Sequence, residues 1–132
     1  MKAEPRWISK KALLLLHELS LAEFGGAQGL RDEGLLDAAL ARPKNLLAYD
    51  AASTIAALSA SYAYGIARNH AFVDGNKRAA FLSIGLFLGL NGHRLAAGQA
   101  NALQTIFALA DGTLDEPGLS AWIEEHMERQ EP

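Results

Sequence analysis

Cysteine is absent from the 132-residue chain. That excludes disulfides, thiol nucleophiles and cysteine-based zinc sites, and it suits a reducing cytoplasm. An excess of positive charge is also missing: the formal net charge is −3 and the isoelectric point about 5.8. A general nucleic-acid binder neutralises phosphates with a basic surplus, so duplex DNA or RNA fits poorly. No apolar run is long enough to cross a bilayer. The most apolar stretch, residues 79–90, falls well short of the roughly 20 residues a spanning helix needs. Residues 1–9 carry Pro5 and lack the apolar stretch and cleavage pattern of a signal peptide. Repeats, low-complexity segments and long linkers are missing too, so one domain over residues 1–132 is expected. What is present is a hydrophobic half, 50% of the residues, broken by charges. Such a composition favours a soluble, cytoplasmic globular chain over disorder.

Start and stop signals divide the chain into helices. Ser9 can cap a first helix that carries Leu13, Leu16 and Leu19 to about Ala22. Gly25, Gly26 and Gly29 end it in a loop. Asp32 caps a second helix with Leu35, Leu36 and Leu40 at helical spacing. Pro43 is expected to stop it, because proline disfavours helical geometry in the residue before it. Residues 43–52 then read as extended. Ser53 caps a third helix whose stripe is Ile55, Leu58, Tyr62 and Ile66. After a break at residues 69–75, a fourth helix begins near Asn76. Its body is apolar on all sides, the mark of a buried central helix. Gly85 and Gly89 read there as points of close helix approach. Asn91-Gly92 ends it, and two more helices follow over about residues 99–110 and 117–129. Nothing reads as sheet. The expected fold is all-α, a compact bundle of six helices around a buried central one.

The chemistry concentrates in His70-Ala71-Phe72-Val73-Asp74-Gly75-Asn76-Lys77-Arg78, between two helices and at the N-terminus of the second. A first helical turn presents unpaired amides and partial positive charge, which suits phosphate. Gly75 lets the backbone approach a ligand, and turn amides there can form an anion nest. Lys77 and Arg78 add two cations, one a point charge and the other a bidentate fork. Asp74 would repel a phosphate unless a cation intervened, and Mg²⁺ is commonly held by one or two carboxylates plus phosphates. His70 supplies a proton acceptor near neutral pH. Together these types make a phosphoryl- or nucleotidyl-transfer site. The competing structural reading is equally open from chemistry alone. In it His70 ends a helix, Asp74 and Asn76 are turn and cap residues, and Lys77 and Arg78 are solvated.

The same nine residues resemble the signature loop of the Fic/Doc family, His-Pro-Phe-x-(Asp/Glu)-Gly-Asn-Gly-Arg, with six fixed types in register. The lysine variant resembles the Doc, or death-on-curing, branch. The likeness runs more loosely over nearly the whole chain, from the Gly-Gly helix end to the apolar helix after the motif. It implies roles residue by residue. His70 would act as general base on a target hydroxyl, Phe72 would fix the loop, and Asp74 would hold Mg²⁺. Gly75, Asn76 and Arg78 would cradle the phosphates of ATP or another nucleoside triphosphate. The resemblance also implies a short flap, which falls at residues 43–50, able to hold a target chain by strand addition; a plain connecting loop is the alternative there.

Two departures bear on the reaction. Lys77 stands where the family has glycine, and Phe81 where the longer motif has a second arginine. Lys77 is expected to fill the nest and reorient the triphosphate. The likeness to Doc then implies a kinase that transfers the γ-phosphate, with AMP transfer and an inactive Fic-fold interaction module as alternatives. The family's inhibitory pattern, Ser/Thr-x-x-x-Glu-(Gly/Asn), is missing: Ser120 to Glu124 is followed by Glu125. An unrestrained toxin implies a cognate antitoxin whose tail folds on binding. Relatives of this kind point to elongation factor Tu as target and to a block of translation.

The other histidines read as non-catalytic. His17 is expected at the surface, His93 in a helix-ending turn, and His126 packed one turn from Trp122. Their spacing does not suit zinc. Arg68 reads as a cation at a helix C-terminus. Tyr49, Tyr62, Tyr64, Trp7 and Trp122 are taken as packing residues.

Overall fold

Side-chain caps start four helices of this chain, whose computed structural model describes residues 4–130. Ser9, Asp32, Thr54 and Asp115 each accept a hydrogen bond from an amide in the first turn. The helices so begun are α1 (Lys10–Phe24), α2 (Glu33–Tyr49), α3 (Ile55–Asn69) and α6 (Glu116–His126). Glycines precede the other two, α4 (Asn76–Leu90) and α5 (Gln99–Asp111), and neither has a side-chain cap. The all-α reading holds. No helix among the described residues is long and apolar enough to cross a membrane.

Several local expectations are corrected. Pro43 does not stop α2, which runs through it to Tyr49. The proline forgoes one helical hydrogen bond and restrains Arg42, but packing outweighs this. Leu36, Ala39 and Pro43 are buried, and Leu46 and Leu47 pack on the core. Arg42 is held as well: its Nε donates to the Ser61 carbonyl at 3.4 Å, its guanidinium pairs with Glu116, and it lies 4.9 Å over the Tyr64 ring. The expected flap at residues 43–50 is therefore mostly helix. The extended chain beside the motif is the segment between α1 and α2. Thr54, not Ser53, caps α3, and the Ser53 hydroxyl instead donates to the Asp50 carbonyl.

A small sheet also escaped the sequence reading. β1 (His93–Leu95) pairs antiparallel with β2 (Met127–Arg129), so α6 ends at His126. Three-residue strands carry too little alternation to be visible.

The central helix is α3, in which ten of 15 residues are buried, against seven of 15 in α4. The apolar surface of α4 is only partly covered. Gly85 and Gly89 are exposed, and a Cβ on either would meet nothing within 4 Å, so neither marks a close helix contact. That contact occurs at Gly65 of α3. A Cβ there would stand 2.7 Å from Arg42 Cδ and 3.2 Å from Ala39 Cα. Tyr49 is 92% exposed and packs on nothing, contrary to expectation. Tyr62 is fully buried beside Phe87, and Trp7 also stacks on Phe87.

Candidate active site

The motif loop hangs between α3 and α4, and both ends are held in left-handed backbone. His70 ends α3 at φ 52°, the one non-glycine residue with positive φ among those described. Gly75 begins α4 at φ 78°. A histidine in that region is strained by about 1–3 kcal/mol and persists only where its surroundings hold it. Arg31 supplies that hold. Its Nε donates to the His70 carbonyl at 2.7 Å and a terminal nitrogen donates to the Asn69 carbonyl at 3.1 Å. The guanidinium thus closes the C-terminal end of α3, where carbonyls lack partners.

The segment between α1 and α2 fixes the loop from one side. Leu30 bridges Phe72 antiparallel, and the Val73 amide donates to the Gly29 carbonyl at 3.0 Å. The amides of Arg31 and Asp32 both donate to the Ala71 carbonyl. From inside, Asn76 pairs with the Phe72 backbone in both directions, each bond 3.0 Å. Phe72 is 1% exposed and Asn76 8%. Asn76 therefore uses its amide group to brace the loop, while its backbone N–H lies in the first turn of α4.

Asp74 is exposed, and its carboxylate turns toward the glycine loop. Oδ1 accepts from the Gly75 amide at 2.8 Å and Oδ2 from the Ala27 amide at 3.2 Å. Gly26 leaves the space for it, since a Cβ there would stand 2.9 Å from Oδ2. Among the described residues no three His, Cys, Asp or Glu groups gather as a metal cage. A single exposed carboxylate fits a hydrated Mg²⁺ that arrives with phosphates, and does not fit an all-protein metal site.

His70, Asp74, Gly75, Asn76, Lys77 and Arg78 line one cavity of about 380 Å³, closed on its far side by Leu103, Ile106 and Phe107 of α5. The first turn of α4 has no side-chain cap and no acidic residue, so its amides remain available to an anion. The Lys77 ammonium sits 5.4 Å from the centre of the exposed Phe107 ring. Its charge therefore stands toward α5, not within the nest as expected. The Arg78 guanidinium lies 3.8 Å over the exposed Phe24 ring. Among the described residues, neither cation forms an ion pair with a carboxylate. Phe81 lies elsewhere, lining a groove with Gly85, Gly89 and β1.

The model of the Fic/DOC family matches residues 7–88, more than half of the chain. The chain belongs to the Fic/DOC family. Within it, the chain is 38% identical over 87 residues to "Protein kinase doc" of Escherichia phage P1, covering 66% of this chain and 69% of that protein. It is 48% identical over 75 residues to "Toxin Doc" of Mycolicibacterium smegmatis, covering 56% and 58%.

Arg31 and His17 were missed as contributors to this Fic/DOC loop. His17 is 4% exposed, not at the surface. The signal was present: His17 stands four residues after Leu13 and four before Leu21, on the buried stripe of α1. No comparable signal marks Arg31, which acts across 39 residues. Arg68 and His126 behave as packing groups. Arg68 lies over Tyr64, and His126 stacks on Trp122 with centroids 4.6 Å apart. His93 stands in β1, just past the turn at Gly92.

Proposed function

We propose that the chain transfers the γ-phosphate of ATP, or another nucleoside triphosphate, to a hydroxyl of a target protein. The observation that carries this is the shared cavity. An exposed histidine, an exposed carboxylate, an uncapped helix N-terminus and two cations without a carboxylate partner among the described residues all line it. The name "Protein kinase doc" carried by the phage P1 relative supports the reaction type.

In this reading His70 takes the proton from the target hydroxyl as its oxygen attacks the γ-phosphorus. The bond from that phosphorus to the β-phosphate oxygen breaks and ADP leaves. The amides of the first turn of α4, with Arg78, hold the phosphates, and Gly75 keeps the approach open. Asp74 would hold Mg²⁺, which neutralises phosphate charge when bound. Lys77 draws the triphosphate toward α5, and Phe81 cannot supply the contact that an arginine would. Both features favour the γ- over the α-phosphorus facing His70.

By the same reading, residues 1–132 form one catalytic domain that acts in the cytoplasm as the toxin of a toxin–antitoxin pair. An antitoxin protein restrains it, and elongation factor Tu is the target to test first. The name "Toxin Doc" of the mycobacterial relative supports the toxin assignment.

The test is the position of the label. Purified chain is incubated with Mg²⁺, elongation factor Tu or a cell extract, and ATP labelled at either phosphorus. Label reaching protein from the γ-position is expected, and His70→Ala should reduce it by about 10²–10⁴-fold while remaining folded. Label arriving only from the α-position would make the chain an AMP transferase. Transfer at parental rates by His70→Ala would remove the histidine from its role.

A further inference from the structure

His17 lies outside the motif and outside the cavity that the motif lines, yet three motif residues bear on its ring. The imidazole stacks on Phe72 with centroids 3.7 Å apart and planes 12° from parallel. Its Nε2 is 2.8 Å from the Asp74 carbonyl oxygen. A carbonyl only accepts, so Nε2 carries the proton and donates. Gly75 passes so close that a Cβ there would stand 3.4 Å from Nε2. The ring is 4% exposed, and it borders a separate cavity of about 360 Å³ with Leu14, Leu21 and Leu30.

We propose that His17 is a positioning residue for the transfer site, acting through its Nε2–H bond to the Asp74 carbonyl. This rests on the transferase reading only for its effect on turnover; the geometric claim stands apart from it. The bond fixes the peptide between Asp74 and Gly75. That peptide sets the direction of the Asp74 carboxylate and carries the chain into the left-handed Gly75 that starts α4. The stack on Phe72 fixes the plane of the donor, so that the N–H meets the carbonyl. A carbonyl left without this donor would be free to rotate, taking the carboxylate and the first amides of α4 with it. His17 touches no reacting atom in this account.

Two substitutions separate donation from packing. His17→Phe keeps a flat ring against Phe72 and loses the N–H. His17→Gln loses the ring and can place an amide N–H near the position of Nε2. The first readout is amide hydrogen exchange, by nuclear magnetic resonance, at Phe72 and Val73 of the motif loop, which donate to the Asn76 side chain and the Gly29 carbonyl. In His17→Phe these amides should exchange about tenfold faster, and in His17→Gln close to the parental rate. The second readout is turnover. His17→Phe should lower kcat by up to about 10²-fold and raise KM for ATP, because the carboxylate and amides it displaces are those that hold the nucleotide, and His17→Gln should restore most of both. If His17 only fills space, the order reverses and Phe is the better substitute; that order overturns the proposal. A third measurement needs no variant: ring nitrogen shifts of the unmutated chain should show the Nε2–H tautomer, and an Nδ1–H tautomer overturns the proposal even if His17→Phe fails to fold. Should the exchange pattern appear as expected while the parent transfers no phosphate, the transferase reading fails and the positioning role stands.

Discussion

At the scale of single residues, the site depends on what the glycines before α2 leave room for. Gly25 and Gly26 both have positive φ, 84° and 127°, so alanine at either is strained. Their surroundings differ. A Cβ on Gly25 meets nothing within 4 Å, whereas one on Gly26 meets Leu21 Cδ2 at 2.8 Å and Asp74 Oδ2 at 2.9 Å. Both substitutions should cost about 1–3 kcal/mol in denaturant unfolding. Only Gly26→Ala should also push the Asp74 carboxylate from its place and weaken Mg²⁺-dependent ATP binding, measured by calorimetry. Equal binding by the two variants would show that the carboxylate's position does not depend on Gly26. This pair could not be told apart in the sequence, where both glycines read only as the end of α1. The distinction depends on Asp74, which is 48 residues away from Gly26 in the chain and reaches it through the fold.

At the scale of elements, glycine has opposite meanings in α3 and α4. Gly65 admits α2 against α3, with Arg42 Cδ and Ala39 inside the space a side chain would take. Gly65→Ala should therefore separate these helices and lower stability by about 1–3 kcal/mol, the usual cost of overpacking. Gly85 faces open space on α4, so Gly85→Ala should stabilise the helix by about 0.5–1 kcal/mol. Thermal and denaturant unfolding of both variants checks the signs, and the same sign for both would contradict the packing described. Helix starts at Ser9, Asp32 and Asn76 were legible because capping and breaking are local chemistry. So was the motif loop, whose residue types and spacing lie within nine positions. The choice of central helix was not legible, because α4 is the more apolar but α3 is the more enclosed. Pro43 misled for the same reason: its local preference for ending a helix is small beside the packing of α2.

At the scale of the whole molecule, one buried phenol joins the N-terminal segment to the central helix and gives the chain an alkaline limit. Tyr62 of α3 is fully buried, and its hydroxyl oxygen accepts from the Ile8 amide at 3.0 Å. Ile8 is itself in the core, just before the Ser9 cap that starts α1, so the bond locates α1 and with it His17. Burial pushes the Tyr62 phenol above the usual tyrosine value, and the Ile8 amide, which favours the ionised oxygen, offsets only part of this. The folded state thus binds the proton more tightly than the unfolded chain, whose tyrosine titrates near pH 10. The contribution of Tyr62 is complete below that pH and is lost as the pH rises through its folded value. Lys10, raised by its bonds to Asp37 and Glu33, loses its contribution in the same alkaline direction. The comparison must therefore be made between the parent and Tyr62→Phe, which share Lys10. At pH 7, Tyr62→Phe should be less stable by about 1–3 kcal/mol, because the buried Ile8 amide loses its acceptor. Above about pH 10 the gap should narrow, since phenylalanine has no proton to lose. Unfolding midpoints from pH 7 to pH 11 check this. A gap that stays constant would mean that the phenol ionises as readily folded as unfolded, and that the anchoring of α1 carries no alkaline penalty.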